Sequence, residues 1–146
     1  SQGSGTAGRL QVLAHTLPDT LEAGESVSVT FTVRNDGWDA WRSTPLSGPS
    51  CDGAATAGKG CEQLAFGFSA DPVLPTGWGA LPKFPYGGRA KFPSPVFPSD
   101  TIDVQATVTA PTEPGTYYFQ LDGVKELYSY FETRGNVPWQ KEIVVR

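Results

Sequence analysis

Alternation of apolar and polar residues is the strongest signal in this chain. Residues 27–33 carry Val or Phe at every odd position and Ser or Thr at every even one, and residues 102–108 alternate in the same way. A period of two is that of a β-strand with one buried face. Segments 10–14, 64–68, 117–121 and 139–145 also read as strands. Since no long segment shows helical spacing, the chain is predicted to be all-β.

Glycine, proline and asparagine between these segments predict the turns. Asn35-Asp36-Gly37 ends the second strand, and the run 111–115 with two prolines and a glycine precedes another. Asn and Gly tolerate positive φ, which tight turns require. Short strands with this punctuation are typical of an immunoglobulin-like two-sheet antiparallel sandwich. Tyr117, two residues after Pro-Gly, is predicted to form a tyrosine corner, in which a phenol hydroxyl binds the backbone.

The chain length of 146 residues predicts one sandwich domain over residues 9–146. The first eight residues are small and polar, which indicates a flexible linker or a remnant of cloning. Residues 71–98 contain seven prolines. Because proline removes the N–H that a sheet ladder needs, this Pro/Gly-rich excursion cannot be a central strand. We expect it to run over the surface or along a sheet edge.

Charge and composition narrow the class of protein. A net charge of −4 with 11 scattered basic residues disfavours a nucleic-acid partner. The apolar runs are too short for a membrane span. Only 18% of residues are charged, so the polarity comes mostly from Ser, Thr, Gly, Asn and Gln. This composition favours a processed protein that is secreted or lies on a cell surface.

Two cysteines, Cys51 and Cys61, flank a stretch rich in Gly and Ala. A metal half-site or a redox pair would be the functional alternatives. Two thiolates without a nearby His make a poor metal site, and the spacing is not C-x-x-C. The pattern therefore predicts a disulfide that staples the loop 51–61, contributing about 2–3 kcal/mol. Such a bond implies an oxidising compartment.

The inventory of reactive groups argues against catalysis. His15 is the only histidine, so a Ser-His-Asp triad would have no second candidate for its general base. The 15 acids fall mostly in turns or at outward strand positions, where solvation is the expected role. Asp36 and Asp39 share a turn with Asn35 and are compatible with a weak calcium site, although such clusters are also ordinary turn formers. We expect no other cofactor or metal and no catalytic residue.

Large aromatic residues are the candidates for function. Rings exposed among polar groups stack on sugars or anchor a protein partner, whereas buried rings serve only the fold. Trp41 and Trp139 are predicted to be core residues. For the others a binding role and a role in clamping the long excursion to the sandwich stay open. The binding candidates are Trp78, Tyr86, Trp38, Tyr128 and Tyr130.

Several short motifs follow one another along the chain: Leu17-Pro18, Ala23-Gly24-Glu25, 31–41, Gly77-Trp78-Gly79, Pro98-Ser99-Asp100, 110–117, Phe131 and Trp139. Their order resembles that of bacterial immunoglobulin-like modules related to the four-tryptophan domain of autophagy cargo receptors. The match spans residues 10–146, and departs from the family at Leu121, where Trp is usual, and at Glu132, where Gly is usual. The resemblance implies a non-catalytic module, appended in bacteria to secreted enzymes or surface proteins and binding protein cargo in eukaryotes.

Together these patterns predict a non-catalytic extracellular module that spaces, docks or assembles on a surface or a secreted protein. Its partner would be another protein or a second copy, because open edge strands pair readily with a neighbour. The alternative is a carbohydrate-binding module that is appended to a secreted hydrolase and uses exposed aromatic residues on a polysaccharide.

Overall fold

The computed structural model describes residues 8–48, 50–54, 56–72, 88–126, 128–131 and 136–146. This part of the chain forms nine β-strands and no α-helix. No helix in it is long and apolar enough to cross a membrane. The strands are β1 (Leu10–His15), β2 (Thr20–Leu21), β3 (Ser26–Asn35), β4 (Glu62–Ser69), β5 (Gly88–Lys91), β6 (Thr101–Thr109), β7 (Gly115–Lys125), β8 (Ser129–Tyr130) and β9 (Trp139–Val145).

The strands form two sheets. The first has the order β1-β3-β6, and the second has the order β2-β9-β7-β4-β5 with β8 paired to β7. All pairs are antiparallel except β2 with β9. The chain thus begins in one sheet with β1 and switches to the other with β2. This connectivity is immunoglobulin-like and confirms the predicted two-sheet sandwich.

One face of each sheet is buried against the other sheet. In β6 the residues at even positions from Val104 to Val108 are buried and those at odd positions are exposed, as alternation predicts. Phe31 of the first sheet stacks on Phe119 of the second, with ring centroids 5.8 Å apart. Burying side chains of this size contributes about 1.5–3 kcal/mol each. The alternating segments therefore supply the core that holds the sheets together.

The bend before β7 contains the predicted tyrosine corner. The Tyr117 hydroxyl donates a hydrogen bond of 2.8 Å to the carbonyl oxygen of Glu113. The ring of Tyr117 packs edge-on against Phe68, so the hydroxyl lies at the rim of the core. This bond fixes the direction in which the chain enters β7.

The part of the proline-rich excursion that the structure describes, residues 71–72 and 88–98, lies at a sheet edge. β5 pairs with β4 and ends the second sheet on that side. Beyond it, Phe92 and Val96 return to the core. Residues 73–87 of the excursion lie outside the described residues.

Candidate functional site

Three loops meet at one end of the sandwich. β3, β5 and β7 finish at this end and β4, β6 and β9 start from it, because the strands run antiparallel. We call the described residues within 36–61, 92–100 and 126–138 the loop end. In variable immunoglobulin domains the corresponding end presents the antigen-binding loops.

Asn35, fully buried at the last position of β3, joins two of these loops. Its Oδ1 accepts a hydrogen bond from the backbone N–H of Gly37. Its Nδ2 donates to the carbonyl oxygens of Asp39 and Val96, both at 2.9 Å. A single amide therefore satisfies three backbone groups and sets the spacing of the 36–41 and 92–100 loops.

Trp41 anchors the loop end to the core. The residue is fully buried, and its ring stacks on Phe92 at 5.0 Å and contacts Phe131 at 5.6 Å. Its backbone exchanges two hydrogen bonds with Val96. Trp139 is half-buried, with its ring near those of Phe31 and Phe119. These positions are those expected for structural tryptophans.

The predicted disulfide between Cys51 and Cys61 is present. A buried glutamine fastens the same loop to the second sheet, since Gln63 accepts from the N–H of Gly53 and donates to the carbonyl of Ala54. The loop is thus held both by a covalent bond and by side-chain hydrogen bonds.

A buried ion pair continues this attachment. Glu126 Oε2 accepts hydrogen bonds from Gln63 Nε2 at 2.8 Å and from Arg89 Nε at 2.9 Å. The side chains of Arg89 and Glu126 are each only 7% exposed. Because breaking such a buried pair leaves an uncompensated charge, the contact favours one fixed arrangement of β5 and the 126–138 loop.

Two aromatic rings of the loop end face solvent. Trp38 and Phe97 are each 59% exposed. Trp38 directly follows Gly37 and Phe97 directly follows Val96, and Asn35 binds the backbone of both preceding residues. Asp100 receives the N–H of Phe97 on its carboxylate and fixes that turn. The sequence interpretation included Trp38 as a candidate but missed Phe97, because its position among prolines gave no sign of exposure.

Tyr128 forms a second exposed point at 53% exposure. The ammonium groups of Lys59 and Lys125 lie 5.3 and 4.9 Å from the centre of its ring. Cation–π contacts of this kind are worth about 0.5–1 kcal/mol at exposed sites. Tyr128 therefore faces solvent and also contacts two lysines, Lys59 of the β3–β4 connection and Lys125 at the end of β7.

A concavity of about 430 Å³ opens between these points. Its volume falls within the range of small-ligand pockets. Its wall includes the hydroxyl groups of Ser43 and Thr44 and the guanidinium group of Arg42. It also includes two carboxylates, of which that of Asp39 belongs to an exposed residue and that of Glu62 to a buried one. The lining residues are 39–44, Glu62, Pro95 and Lys125.

The remaining predicted residues are placed as follows. Trp78 and Tyr86 lie outside the described residues. The backbone of Tyr130 lies in β8 and pairs with Val124. The structure thus brings Trp38 and Tyr128 to the same end of the sandwich and leaves the other three binding candidates as predictions.

In the turn considered for calcium, the side-chain oxygens of Asp36 and Asn35 already accept hydrogen bonds within the protein. Asp36 accepts from Arg34 through both carboxylate oxygens, at 2.6 and 3.2 Å, and Asn35 Oδ1 is bound by the N–H of Gly37. Within the described ranges, no three His, Cys, Asp or Glu side chains gather into a potential metal site. The weak calcium site near Asp36 and Asp39 stays a prediction.

His15 lies where β1 passes β9 and contacts Trp139, with ring centroids 5.1 Å apart. Its Nδ1 accepts the backbone N–H of Leu17 at 3.0 Å, so this nitrogen carries no proton. Burial lowers the pKa of His15 below its ordinary value, and the positive charge of Lys141 lowers it further. Lys141 itself pairs with Asp19 at 2.5 Å. Burial and the charge of Lys141 therefore favour the neutral imidazole, and the hydrogen bond from Leu17 occupies Nδ1.

Comparisons with known proteins find no matching family model and no matching curated protein. Among solved structures, the CARDB domain of PF1109 from Pyrococcus furiosus is 12% identical with a TM-score of 0.46, covering 99% of this chain and 97% of that one. AvmM, which catalyses macrocyclization in alchivemycin A biosynthesis, is 10% identical with a TM-score of 0.45, covering 99% of this chain and 94% of that one. Likenesses this distant carry no argument about function, and neither bears on the resemblance to four-tryptophan domains.

Proposed function

We propose that this chain is a non-catalytic, extracellular immunoglobulin-like module that docks on a protein partner through its loop end. One observation carries the proposal. Of the seven exposed large apolar side chains in the described residues, five lie at this end, and solvent-facing apolar groups gathered on one surface are typical of interaction sites. The five are Trp38, Leu46, Phe97, Tyr128 and Val137.

Several contacts hold the loop end in place without a partner. Asn35 joins the 36–41 and 92–100 loops, and the Cys51–Cys61 bond with Gln63 anchors the last part of the β3–β4 connection. Preorganised loops lose less conformational entropy on association. A surface built in this way favours recognition of one partner geometry.

The reactive groups of the described residues support a non-catalytic role. The Nδ1 atom of His15 accepts the backbone N–H of Leu17. Among the buried acids, Glu126 is bound by Arg89 and Gln63, and Asp122 is bound by Asn136. Side chains engaged in such contacts serve the fold, whereas a catalytic acid or base needs access to a substrate. The disulfide supports an extracellular location, since disulfides persist in oxidising compartments.

A matched pair of double variants tests the docking surface. The variant Trp38→Ala/Phe97→Ala removes two exposed rings at the loop end, and Leu13→Ala/Val144→Ala removes two exposed apolar side chains elsewhere. Immobilised wild-type module would capture its partner from the extracellular protein fraction, and calorimetry with the purified partner would measure affinity. We expect a loss of tenfold or more for the ring variant only. Equal binding by both variants would refute docking at this end.

A carbohydrate-binding module is the second candidate, because the loop end carries both the exposed ring of Trp38 and a concavity with hydrogen-bond donors and acceptors. Sugar hydroxyls need both kinds of group, and an aromatic face stacks on a sugar ring. Affinity electrophoresis against soluble polysaccharides and pull-down on insoluble ones test this role. Retention that Trp38→Ala abolishes would favour it at the loop end. Retention lost only in Trp78→Ala or Tyr86→Ala would assign it to the proline-rich excursion instead.

A further inference from the structure

Among the strands that the structure describes, β6 is a long edge strand of the first sheet. The strand pairs with β3 over its whole length, from Thr101 opposite Arg34 to Thr109 opposite Ser26. On its other side, no strand of the described residues pairs with it. An edge of this kind presents a row of backbone donors and acceptors to any strand that can lie beside it.

Two hydrogen bonds at the ends of β6 reveal which residues point outward. The N–H of Asn35 donates to the carbonyl of Asp100, and the N–H of Ala110 donates to the carbonyl of Glu25. Even-numbered residues therefore direct their backbone groups toward β3. Because successive residues of a strand point in opposite directions, the odd-numbered residues from Thr101 to Thr109 direct theirs toward the open edge.

The other sheet edges carry features that hinder pairing, and β6 does not. β1 is broken by an irregularity between Val12 and Ala14, and β2 has two residues. β5 has four residues, of which two are Arg89 and Lys91. β6 has nine residues without Pro, Gly, Lys or Arg and with one charge, Asp103. Native proteins normally protect an edge of this length, so an edge that the described strands leave open favours an occupant.

We propose that β6 pairs antiparallel with β6 of a second copy of this chain, about a two-fold axis at Gln105. The two three-stranded sheets then become one continuous six-stranded sheet. All nine residues of each strand find a partner, and the odd-numbered residues supply roughly ten backbone hydrogen bonds across the axis. A two-fold axis is the commonest symmetry of soluble homo-oligomers.

The side chains fit this register. Asp103 lies opposite Thr107 of the other copy. The carboxylate of Asp103 therefore does not face the carboxylate of Asp103 in the second chain. On the buried face Ile102 comes opposite Val108, which adds an apolar pair next to the core. By contrast, a two-fold axis at Asp103 would set two carboxylates opposite each other, and like charges opposite each other destabilise a sheet. Charge thus selects the register that also pairs the most residues.

Cysteine cross-linking tests the register without disrupting it. In the two-fold arrangement the Cα atoms of the two Gln105 residues are about 5.5 Å apart, a separation that a disulfide spans. Mild oxidation of Gln105→Cys should therefore yield a covalent dimer. Thr109→Cys is the matched control, an exposed residue of the same strand whose copy would lie roughly 27 Å away. Cross-linking by Thr109→Cys as readily as by Gln105→Cys would overturn the proposal.

Sedimentation of the native chain supplies the second readout. We expect a concentration-dependent dimer that Gln105→Lys abolishes, because two ammonium groups then oppose each other at the axis. Ser28→Lys adds the same charge on the neighbouring strand β3, opposite Thr107, and should leave the dimer intact. Circular dichroism confirms that each variant is folded. A wild-type chain that stays monomeric up to the highest soluble concentration, or a dimer that survives Gln105→Lys, would rule the pairing out.

Discussion

At the scale of single residues, His15 makes the stability of the domain depend on pH. Burial lowers the pKa of His15 in the folded state and the charge of Lys141 lowers it further, with the carboxylate of Asp19 acting in the opposite direction. The unfolded chain binds a proton as the pH falls through about 6.5, whereas the folded chain resists it. The contribution of His15 is therefore complete above pH 6.5 and is lost as the pH falls toward the lowered folded value.

Thermal unfolding at pH 7.5, 6.0 and 5.0 measures this effect. The wild-type Tm should fall over this interval by more than that of His15→Asn, which keeps an acceptor near the N–H of Leu17 but does not titrate. Asp19, paired with Lys141, has a lowered pKa and loses its contribution only below about pH 3.8, so it does not obscure the histidine window. Parallel curves for both proteins would show that His15 makes no such contribution.

Asn35 shows how much one buried amide holds together. In Asn35→Asp the two donors to Asp39 and Val96 are replaced by a carboxylate oxygen that faces their carbonyls. Each unsatisfied buried group costs about 1–3 kcal/mol, so we expect the free energy of unfolding to fall by about 3 kcal/mol or more. Urea denaturation measures the change. Gln11→Glu, the same chemical change on an exposed side chain, should stay within about 0.5 kcal/mol of wild type.

At the scale of elements, the Cys51–Cys61 bond closes a short loop within the long β3–β4 connection. Chain-entropy arithmetic gives about 3 kcal/mol for a loop of this size. Replacing both cysteines by Ala should lower stability by that amount or less, because Gln63 still binds Gly53 and Ala54. Adding Gln63→Ala to the cysteine-free chain should cost more than Gln63→Ala in the native chain. Additive losses in denaturant unfolding would contradict this shared anchoring.

The sequence predicts the elements whose formation depends on local alternation and misses those that depend on distant partners. β3 and β6 can be predicted from the sequence because every second residue in them is apolar. β2 and β5 have two and four residues, and they exist because β9 and β4 offer them an edge. The buried charge of Glu126 depends on Arg89, 37 residues away, which no local pattern reveals. Trp38 could be proposed as a binding residue because a local Asn-Asp-Gly turn precedes it. Phe97 could not, because its exposure depends on contacts of Val96 with Trp41 and Asn35, which are distant in sequence.

At the scale of the whole molecule, the two sheets share one core, so they should unfold together. Phe119 lies at the centre of this core, since its ring contacts Phe31 of the first sheet as well as Phe66, Phe68 and Trp139 of the second. Removing this ring by Phe119→Ala should cost about 3–5 kcal/mol. Val144→Ala, a truncation on the exposed face of β9, is the matched control and should change stability little.

Two spectroscopic probes of unfolding test whether the sheets unfold together, in addition to the loss of stability in Phe119→Ala. Near-ultraviolet circular dichroism follows the aromatic core and far-ultraviolet circular dichroism follows both sheets, so a shared core requires coincident transitions in wild type and in Phe119→Ala. If the sheets were held mainly by their own hydrogen bonds, the aromatic signal of Phe119→Ala would disappear before the strands unfold. Coincidence would mean that the loop end is supported by the whole sandwich, because Trp41 and Phe131 belong to the same buried cluster. A core mutation far from the loop end would then weaken docking only in proportion to the fraction of unfolded chain.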